Sequence, residues 1–88
     1  MKVEFKESFA KDLGGVKNKR LLERVKAAVE AVEQAETLEQ IRGLKKLKGA
    51  GGYYRLRIGD YRIGLAMEHG KVIFVRFINR KEIYRYFP

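Results

Sequence analysis

The alternation of apolar and polar residues divides the first half of the chain into one strand and two helices. Apolar residues alternate with polar ones at residues 2–6, which predicts a short N-terminal strand. Residues 7–13 are expected to form a short helix that ends at Gly14–Gly15. Over residues 17–34, apolar side chains recur three and four positions apart, which predicts a helix whose apolar face packs on a sheet.

The second half has the composition of strands joined by tight turns. Segments 53–58, 61–68 and 71–79 are rich in β-branched and aromatic residues. The dipeptide Gly59–Asp60 indicates a two-residue hairpin turn, and a second hairpin is expected around residues 68–71. The order of elements predicts an α+β fold: a small single domain over residues 1–88, with an N-terminal strand, two helices packed on one face of an antiparallel sheet, and a short C-terminal helical turn.

The turn at Gly59–Asp60 determines which side chains of the first hairpin share a face. It places Arg57 opposite Arg62 and Arg55 opposite Gly64, while the apolar residues of both strands face the core. Arginines directly opposite each other repel unless an anion lies between them. The hairpin is therefore predicted to form a cradle for phosphate.

The register of the next strand decides where Arg76 lies. A two-residue turn at His69–Gly70 would direct Arg76 into the core, whereas a three-residue loop would place it opposite Arg62. An unpaired buried guanidinium is strongly destabilising. We therefore expect the three-residue loop, with Arg76 beside the other arginines.

The net charge of +9 indicates a polyanionic partner. All of the excess lies after residue 41, because residues 1–41 carry equal numbers of basic and acidic side chains. A one-sided charge distribution of this kind attracts nucleic acid or an acidic protein. The basic segment 42–48, which carries Arg42, Lys45, Lys46 and Lys48, is either a solvated linker or a flap beside an anion site.

The residue types leave arginine and tyrosine as the candidate catalytic side chains. The chain has no cysteine and one histidine, His69 in a turn, and no spacing typical of a metal or nucleotide site. Arginine binds phosphate oxygens through two hydrogen bonds, and the 2′-OH of RNA can attack its own phosphate without a metal or cofactor. Arg80 and Tyr84, four residues apart, are expected on one face of the terminal helical turn, where nearby cations make the phenol a candidate proton carrier.

The remaining aromatic residues and the apolar runs have simpler interpretations. Tyr86 and Phe87 are expected to dock the C-terminal tail onto the domain. The longest apolar runs are far too short to cross a bilayer, and the N-terminus lacks the apolar core of a secretion signal. The expected location is cytoplasmic, without membrane association.

Two motifs at a fixed separation resemble a known family. The segments YYRLRIGDYRIGLAM and INRKEIYRYFP, preceded by the basic loop LKKLKG, are similar to those of the RelE/ParE superfamily of bacterial and archaeal toxins. The resemblance covers nearly the whole chain. It implies a ribosome-dependent endoribonuclease that cuts mRNA in the decoding site, that needs no cofactor, and that a cognate antitoxin neutralises in a toxin–antitoxin hetero-oligomer.

The resemblance also implies a role for individual residues. Tyr84 helps to activate the 2′-OH, Arg80 assists the leaving 5′ oxygen, and the arginines of the hairpin hold the phosphate. Asn79 stands where many relatives have a histidine, which leaves the charge-stabilising role intact. The implied catalytic residues are Arg55, Arg57, Arg62, Arg80 and Tyr84. Contacts with the RNA backbone are expected from Arg42, Lys45, Lys46, Lys48, Arg76 and Lys81.

Two other functions are compatible with the same fold. ParE-like members of the superfamily poison DNA gyrase by binding it, and an inactive homologue would only bind an antitoxin. A gyrase-binding protein does not require the full set of hairpin arginines, Arg80 and Tyr84. Their joint presence favours the nuclease.

Overall fold

A computed structural model of the chain describes residues 1–47, 49 and 51–88. Its elements follow one another in the order β1 (Lys2–Phe5), α1 (Glu7–Gly14), α2 (Lys19–Gln34), a 3₁₀ turn (Leu38–Gln40), β2 (Leu44–Lys46), β3 (Tyr53–Ile58), β4 (Tyr61–Glu68), β5 (Lys71–Asn79) and α3 (Ile83–Tyr86). The predicted α+β class and the bounds of the three long strands are confirmed.

The five strands form one mixed sheet in the order β1-β5-β4-β3-β2. Strands β2 to β5 pair antiparallel, whereas β1 joins the far side of β5 in parallel. The sheet is therefore not wholly antiparallel. The two helices carry the chain from β1 at one edge of the sheet to β2 at the other edge, and the later strands return to β5 beside β1. One strand, β2, lies within the basic segment 42–48, where no strand was predicted.

The hydrophobic core lies between α2 and one face of the sheet. Val25 and Val32 of α2 are buried against inward-facing residues of the hairpin such as Ile63 and Leu65, as the spacing of apolar residues predicted. Asn18 is the N-cap of helix α2, and its side chain accepts a hydrogen bond from the backbone N–H of Leu21 at 3.1 Å.

The register predicted for the first hairpin is confirmed, and that predicted for the second is wrong. Arg57 lies opposite Arg62, as expected. The β4–β5 connection is a two-residue turn in which His69 and Gly70 both have positive φ, a geometry that such turns favour. The additional residue that we placed in this loop is instead in a bulge beside Gly64.

The bulge changes the position of Arg76. Leu65 pairs with Phe74 and Gly64 with Arg76, so Val75 is the extra residue of β5. Arg76 thereby lies opposite Gly64 rather than Arg62, and Phe77 still points into the core, where it is 2% exposed. Arg76 leaves the core as predicted, by a different backbone route.

Helix α1 covers the edge of β5 beyond the end of β1. The Lys6 N–H donates to the carbonyl of Phe74 at 2.9 Å, and the Ser8 hydroxyl donates to the carbonyl of Val75. Further along, the carboxylate of Asp12 accepts from the Phe77 N–H at 2.9 Å. These bonds satisfy backbone groups of the bulged half of β5 that no strand reaches.

The described residues contain neither a membrane-spanning helix nor a cluster of metal ligands. No helix in residues 1–47, 49 and 51–88 is long and apolar enough to cross a membrane. No group of three or more histidine, cysteine, aspartate or glutamate side chains in the same part of the chain is arranged to hold a metal ion.

Candidate functional site on the outer face of the sheet

The face of the sheet opposite the core, which we call the outer face, carries basic side chains from several strands. One row crosses the sheet from Lys45 on β2 to Arg55 on β3, Gly64 on β4 and Arg76 on β5, since these residues pair in register. Paired residues of neighbouring strands direct their side chains to the same face. Strand β2 therefore adds Lys45 directly beside Arg55.

The next row across the sheet contains the opposed pair Arg57 and Arg62, followed by Ile78 on β5. Arg57 is exposed and Arg62 half-buried. One guanidinium nitrogen of Arg62, Nη1, donates to the backbone carbonyls of Gly59 and Tyr61, both at 2.9 Å. The predicted pairing of Arg57 with Arg62 is confirmed. The two turn carbonyls fix the position of the Arg62 guanidinium.

The electrostatic environment of Arg62 indicates uncompensated positive charge. Burial lowers the pKa of the Arg62 guanidinium, and the positive charges of Arg57, Arg55 and Arg80 lower it further. Asp60 acts in the opposite direction but is the smallest of these influences. An anion bound among the arginines would relieve this repulsion. We call Arg55, Arg57, Arg62 and Arg80 the arginine cluster.

The chain after β5 brings Arg80 to the cluster. Its backbone N–H donates to the carbonyl of Asp60 at 2.8 Å, which ties the segment to the β3–β4 turn. The side chain of Asn79 accepts from the Lys81 N–H at 2.9 Å and so stabilises the bend. Asn79, which stands in place of a histidine, therefore has a structural role here. Arg80 and Lys81 are both exposed.

The C-terminal segment lies on the outer face and holds Tyr84 over the cluster. The Arg55 guanidinium carbon is 4.9 Å from the centroid of the Tyr84 ring, a cation–π contact. Tyr84 is 67% exposed, so its hydroxyl is accessible to a ligand bound on this face. Helix α3 confirms the predicted helical turn, but Arg80 lies in the turn before it. Arg80 and Tyr84 therefore do not share one face of a single helix, contrary to our expectation.

Phe87 anchors this segment by packing on Gly64. Phe87 is 3% exposed, and its ring is so close to Gly64 that a β-carbon there would lie 2.7 Å from a ring atom. The ring also meets Tyr53 edge-on, with centroids 5.7 Å apart. The predicted docking role is thus confirmed for Phe87. It is wrong for Tyr86, which is half exposed and lies over Arg76 instead.

A groove of about 380 Å³ runs between β2, β3 and the C-terminal segment. Lys45, Lys46, Arg55 and Tyr84 line it, with Phe87 at its base. Neither interpretation of the basic segment 42–48 describes it, because Leu44–Lys46 is an edge strand of the sheet that places Lys45 beside Arg55. Lys48 lies outside the described residues.

Arg76 and Arg42 were also predicted to bind RNA, and the structure places them in different surroundings. Arg76 forms a two-point ion pair with Asp12, with N–O distances of 2.7 and 3.2 Å, and its charge is compensated. This contradicts our expectation of Arg76 as a free member of the cluster; the reason is that α1 covers the edge of β5. Arg42 is exposed in the turn before β2.

Two residues of the site were missed from the sequence, and one of them carried a signal. A glycine in the interior of a strand, such as Gly64, often marks the close approach of another group, which here is Phe87. Asp12 carried no comparable signal, since a single acid in a short helix is usually exposed.

Comparison with known proteins identifies the family. A family model described as ParE toxin of type II toxin-antitoxin system, parDE, matches residues 3–84. The chain is 40% identical over 89 residues to Toxin RelE3 of Methanocaldococcus jannaschii, a match that spans 100% of both proteins.

Solved structures show the same fold. The RelB-RelE antitoxin-toxin complex from Methanococcus jannaschii contains a chain that matches with a TM-score of 0.81 at 38% identity, over 97% of this chain and 99% of that one. The toxin-antitoxin complex RelBE2 from Mycobacterium tuberculosis matches with a TM-score of 0.64 at 27% identity, over 90% and 96%. In both cases the similar chain belongs to a complex of a toxin with an antitoxin.

Proposed function

Because the chain belongs to the ParE toxin family of type II toxin–antitoxin systems, within the RelE/ParE superfamily, we propose that it is an endoribonuclease that cuts mRNA on the ribosome. The observation that carries this proposal is the arginine cluster. Four arginines from two strands and the segment after β5 converge, and none forms an ion pair with a carboxylate in the described part of the chain. A protein that only bound a partner would not need this concentration of charge around a single half-buried guanidinium.

The proposed reaction is attack of an RNA 2′-OH on the adjacent phosphate. The O2′–P bond forms and the P–O5′ bond breaks, which leaves a 2′,3′-cyclic phosphate on one fragment and a 5′-OH on the other. One proton leaves the 2′ oxygen and one is delivered to the 5′ oxygen. Because the nucleophile is part of the substrate, the protein needs to orient the RNA, move these protons and stabilise the charge on phosphorus.

The site residues are proposed to share these tasks. Arg57 and Arg62, opposite each other, are proposed to hold the non-bridging phosphate oxygens. Tyr84, as its phenolate, is proposed to take the proton of the 2′-OH, with the Arg55 cation against its ring stabilising the negative charge. Arg80 is proposed to stabilise the leaving 5′ oxygen, which takes its proton from water. Lys45 and Lys46, which line the groove, extend the site along the RNA backbone.

The partners follow from the same surface. We propose a cognate antitoxin that binds this chain in a hetero-oligomer, with an acidic segment over the basic outer face or along the open edge of β2. The complexes of toxins with antitoxins among the similar structures support this. The proposed substrate is mRNA on the ribosome, and we therefore propose that the protein acts in the cytoplasm.

End-group analysis on programmed ribosomes tests the reaction. Purified chain is added to ribosomes that hold an mRNA codon in the decoding site. It should cut the mRNA inside that codon and leave a 2′,3′-cyclic phosphate and a 5′-OH. An mRNA that carries a single 2′-deoxy nucleotide at the cleavage position should resist, since the nucleophile is missing. Cleavage of that 2′-deoxy mRNA at the same position would rule out the proposed reaction.

A second candidate function is inhibition of DNA gyrase. The matching family model is described as a ParE toxin, and ParE-like members of the superfamily act on gyrase. The arginine cluster favours the nuclease. A surface that only binds gyrase would not require Tyr84 to stack on Arg55 beside the opposed arginines of the hairpin. A supercoiling assay with purified gyrase separates the two functions.

A further inference from the structure

A second pair of arginines lies at the start of α2, close to the β3–β4 turn. Arg20 and Arg24 are one helical turn apart and line a pocket of about 280 Å³ together with Gly59 and Asp60. Both arginines are exposed. Neither forms an ion pair with a carboxylate in residues 1–47, 49 and 51–88. The proposed catalytic site makes no use of them.

This pair is continuous with the arginine cluster around the turn. The Nη1 atom of Arg24 lies 2.9 Å from the position that a β-carbon on Gly59 would occupy. At the same residue, Nη1 of Arg62 donates to the Gly59 carbonyl at 2.9 Å. Guanidinium groups of α2 and of the arginine cluster therefore both approach Gly59, which connects the outer face of the sheet with the start of α2.

The charge distribution of α2 does not serve the stability of the helix. Lys19 and Arg20 occupy its first turn, which contains no acidic residue, and Glu33 lies in its last turn, which contains no basic one. Helices are stabilised by the opposite arrangement, because the N-terminal end of the helix dipole is positive. Like charges one turn apart, such as Arg20 and Arg24, also repel each other. A bound anion at this end of the molecule would explain both features.

The pocket fits RNA phosphate better than it fits a protein. Protein interfaces are usually centred on buried aromatic or apolar anchors. Leu21, Ile58 and Tyr61 also line this pocket, but each is buried or half-buried. None of the large apolar side chains that are exposed in the described residues, Phe5, Tyr84 and Tyr86, lines it. Arginines without acidic partners are typical of contacts with a nucleic-acid backbone.

We propose that Arg20 and Arg24 bind the phosphate backbone of RNA as a second contact site, continuous with the arginine cluster through the β3–β4 turn. The inference rests on the proposed function, since RNA held by the cluster is what brings further phosphates to the turn. It assigns to the start of α2 a role in holding RNA and none in the cleavage step.

Binding of a labelled 2′-O-methyl RNA hairpin, which cannot be cleaved by its own 2′-OH, tests this inference separately from the reaction. The affinities of the unaltered chain and of the double variant Arg20→Ala/Arg24→Ala are measured by fluorescence anisotropy from 0.05 to 0.3 M salt. The matched control, Lys2→Ala/Lys11→Ala, removes the same charge from exposed positions elsewhere. Circular dichroism checks that each variant is folded.

Two lost contacts with the phosphates of the duplex stem should lower the magnitude of the log–log salt slope by about 1.8 and weaken binding at 0.1 M salt by about 60-fold, at roughly 0.9 per contact. The control should change both values much less. Equal affinities of the double variant and the control would overturn the inference, as would failure of the unaltered chain to bind the hairpin. Loss of binding to a polyglutamate peptide with unchanged RNA binding would also overturn it, in favour of a protein partner. A chain that shows the expected RNA binding but does not cut mRNA would contradict the proposed reaction alone.

Discussion

At the scale of single residues, Gly64 shows how the site depends on close packing. Glycine in a strand interior costs about 0.5–1 kcal/mol relative to alanine, because its backbone loses more freedom on folding. Here the absence of a side chain lets the Phe87 ring lie directly on the strand. Phe87 in turn holds the segment that carries Tyr84 over Arg55. The glycine therefore helps to position Tyr84, which we propose as a catalytic residue.

The variant Gly64→Ala tests this dependence. The added β-carbon would lie 2.7 Å from Phe87, so the ring and the C-terminal segment must shift. We expect a loss of stability of about 1–3 kcal/mol, typical of overpacking, and at least a tenfold fall in mRNA cleavage. Urea unfolding and cleavage on programmed ribosomes measure the two effects.

The matched control for this variant is Gly14→Ala. No atom lies within 4 Å of the corresponding β-carbon position at the end of α1. Cleavage should be unchanged in the control. Full activity of Gly64→Ala would show that the position of the C-terminal segment is unimportant for the reaction.

At the scale of secondary-structure elements, α1 covers the part of the β5 edge that no strand pairs with, and so supports the sheet that carries the site. The bulge in β5 places Arg76 on the outer face and leaves the edge of the strand open beyond β1. Asp12 on α1 joins both features, because its carboxylate accepts from the Arg76 guanidinium and from the Phe77 N–H. The helix thus compensates a charge and satisfies a backbone donor at once.

Replacement of Asp12 by alanine should destabilise the domain. Arg76 would lose its partner and the Phe77 N–H its acceptor, which together should cost about 2–4 kcal/mol in the free energy of unfolding. The measurement is urea unfolding monitored by circular dichroism. Glu30→Ala, an exposed acid on α2, is the control and should change stability by less than about 0.5 kcal/mol. A similar stability of the two variants would contradict the role given to Asp12.

The elements differ in how far the sequence determines them. Gly59–Asp60 fixes the register of β3 and β4 because a two-residue turn allows only one pairing, and the opposed arginines followed from it. The bulge could not be placed in the same way, since its position depends on the groups that α1 offers to β5. Strand β2 has three residues and exists through its pairing with β3, which no local alternation reveals.

At the scale of the whole molecule, the fold gathers its positive charge around one turn. The sequence located the excess after residue 41, but the surface that forms also includes arginines of α2, which belong to the electrically balanced half. A count of charges along the chain could not show this, because the first turn of α2 is basic and its last turn is acidic, so that the two offset each other in the sum. A positive field of this extent attracts a polyanion more strongly than a ligand that binds at a single point.

The central claim is that the arginine cluster and Tyr84 cut mRNA on the ribosome, and primer extension on a translated mRNA after induced expression tests it most directly. We predict breaks inside codons, reduced about 100-fold or more in Arg62→Ala and Tyr84→Phe, on the scale expected for loss of a charge-stabilising or proton-transferring group. Breaks should persist in Arg85→Ala, a control on the same short helix as Tyr84. Intact mRNA together with inhibition of gyrase supercoiling by the purified chain would contradict the account.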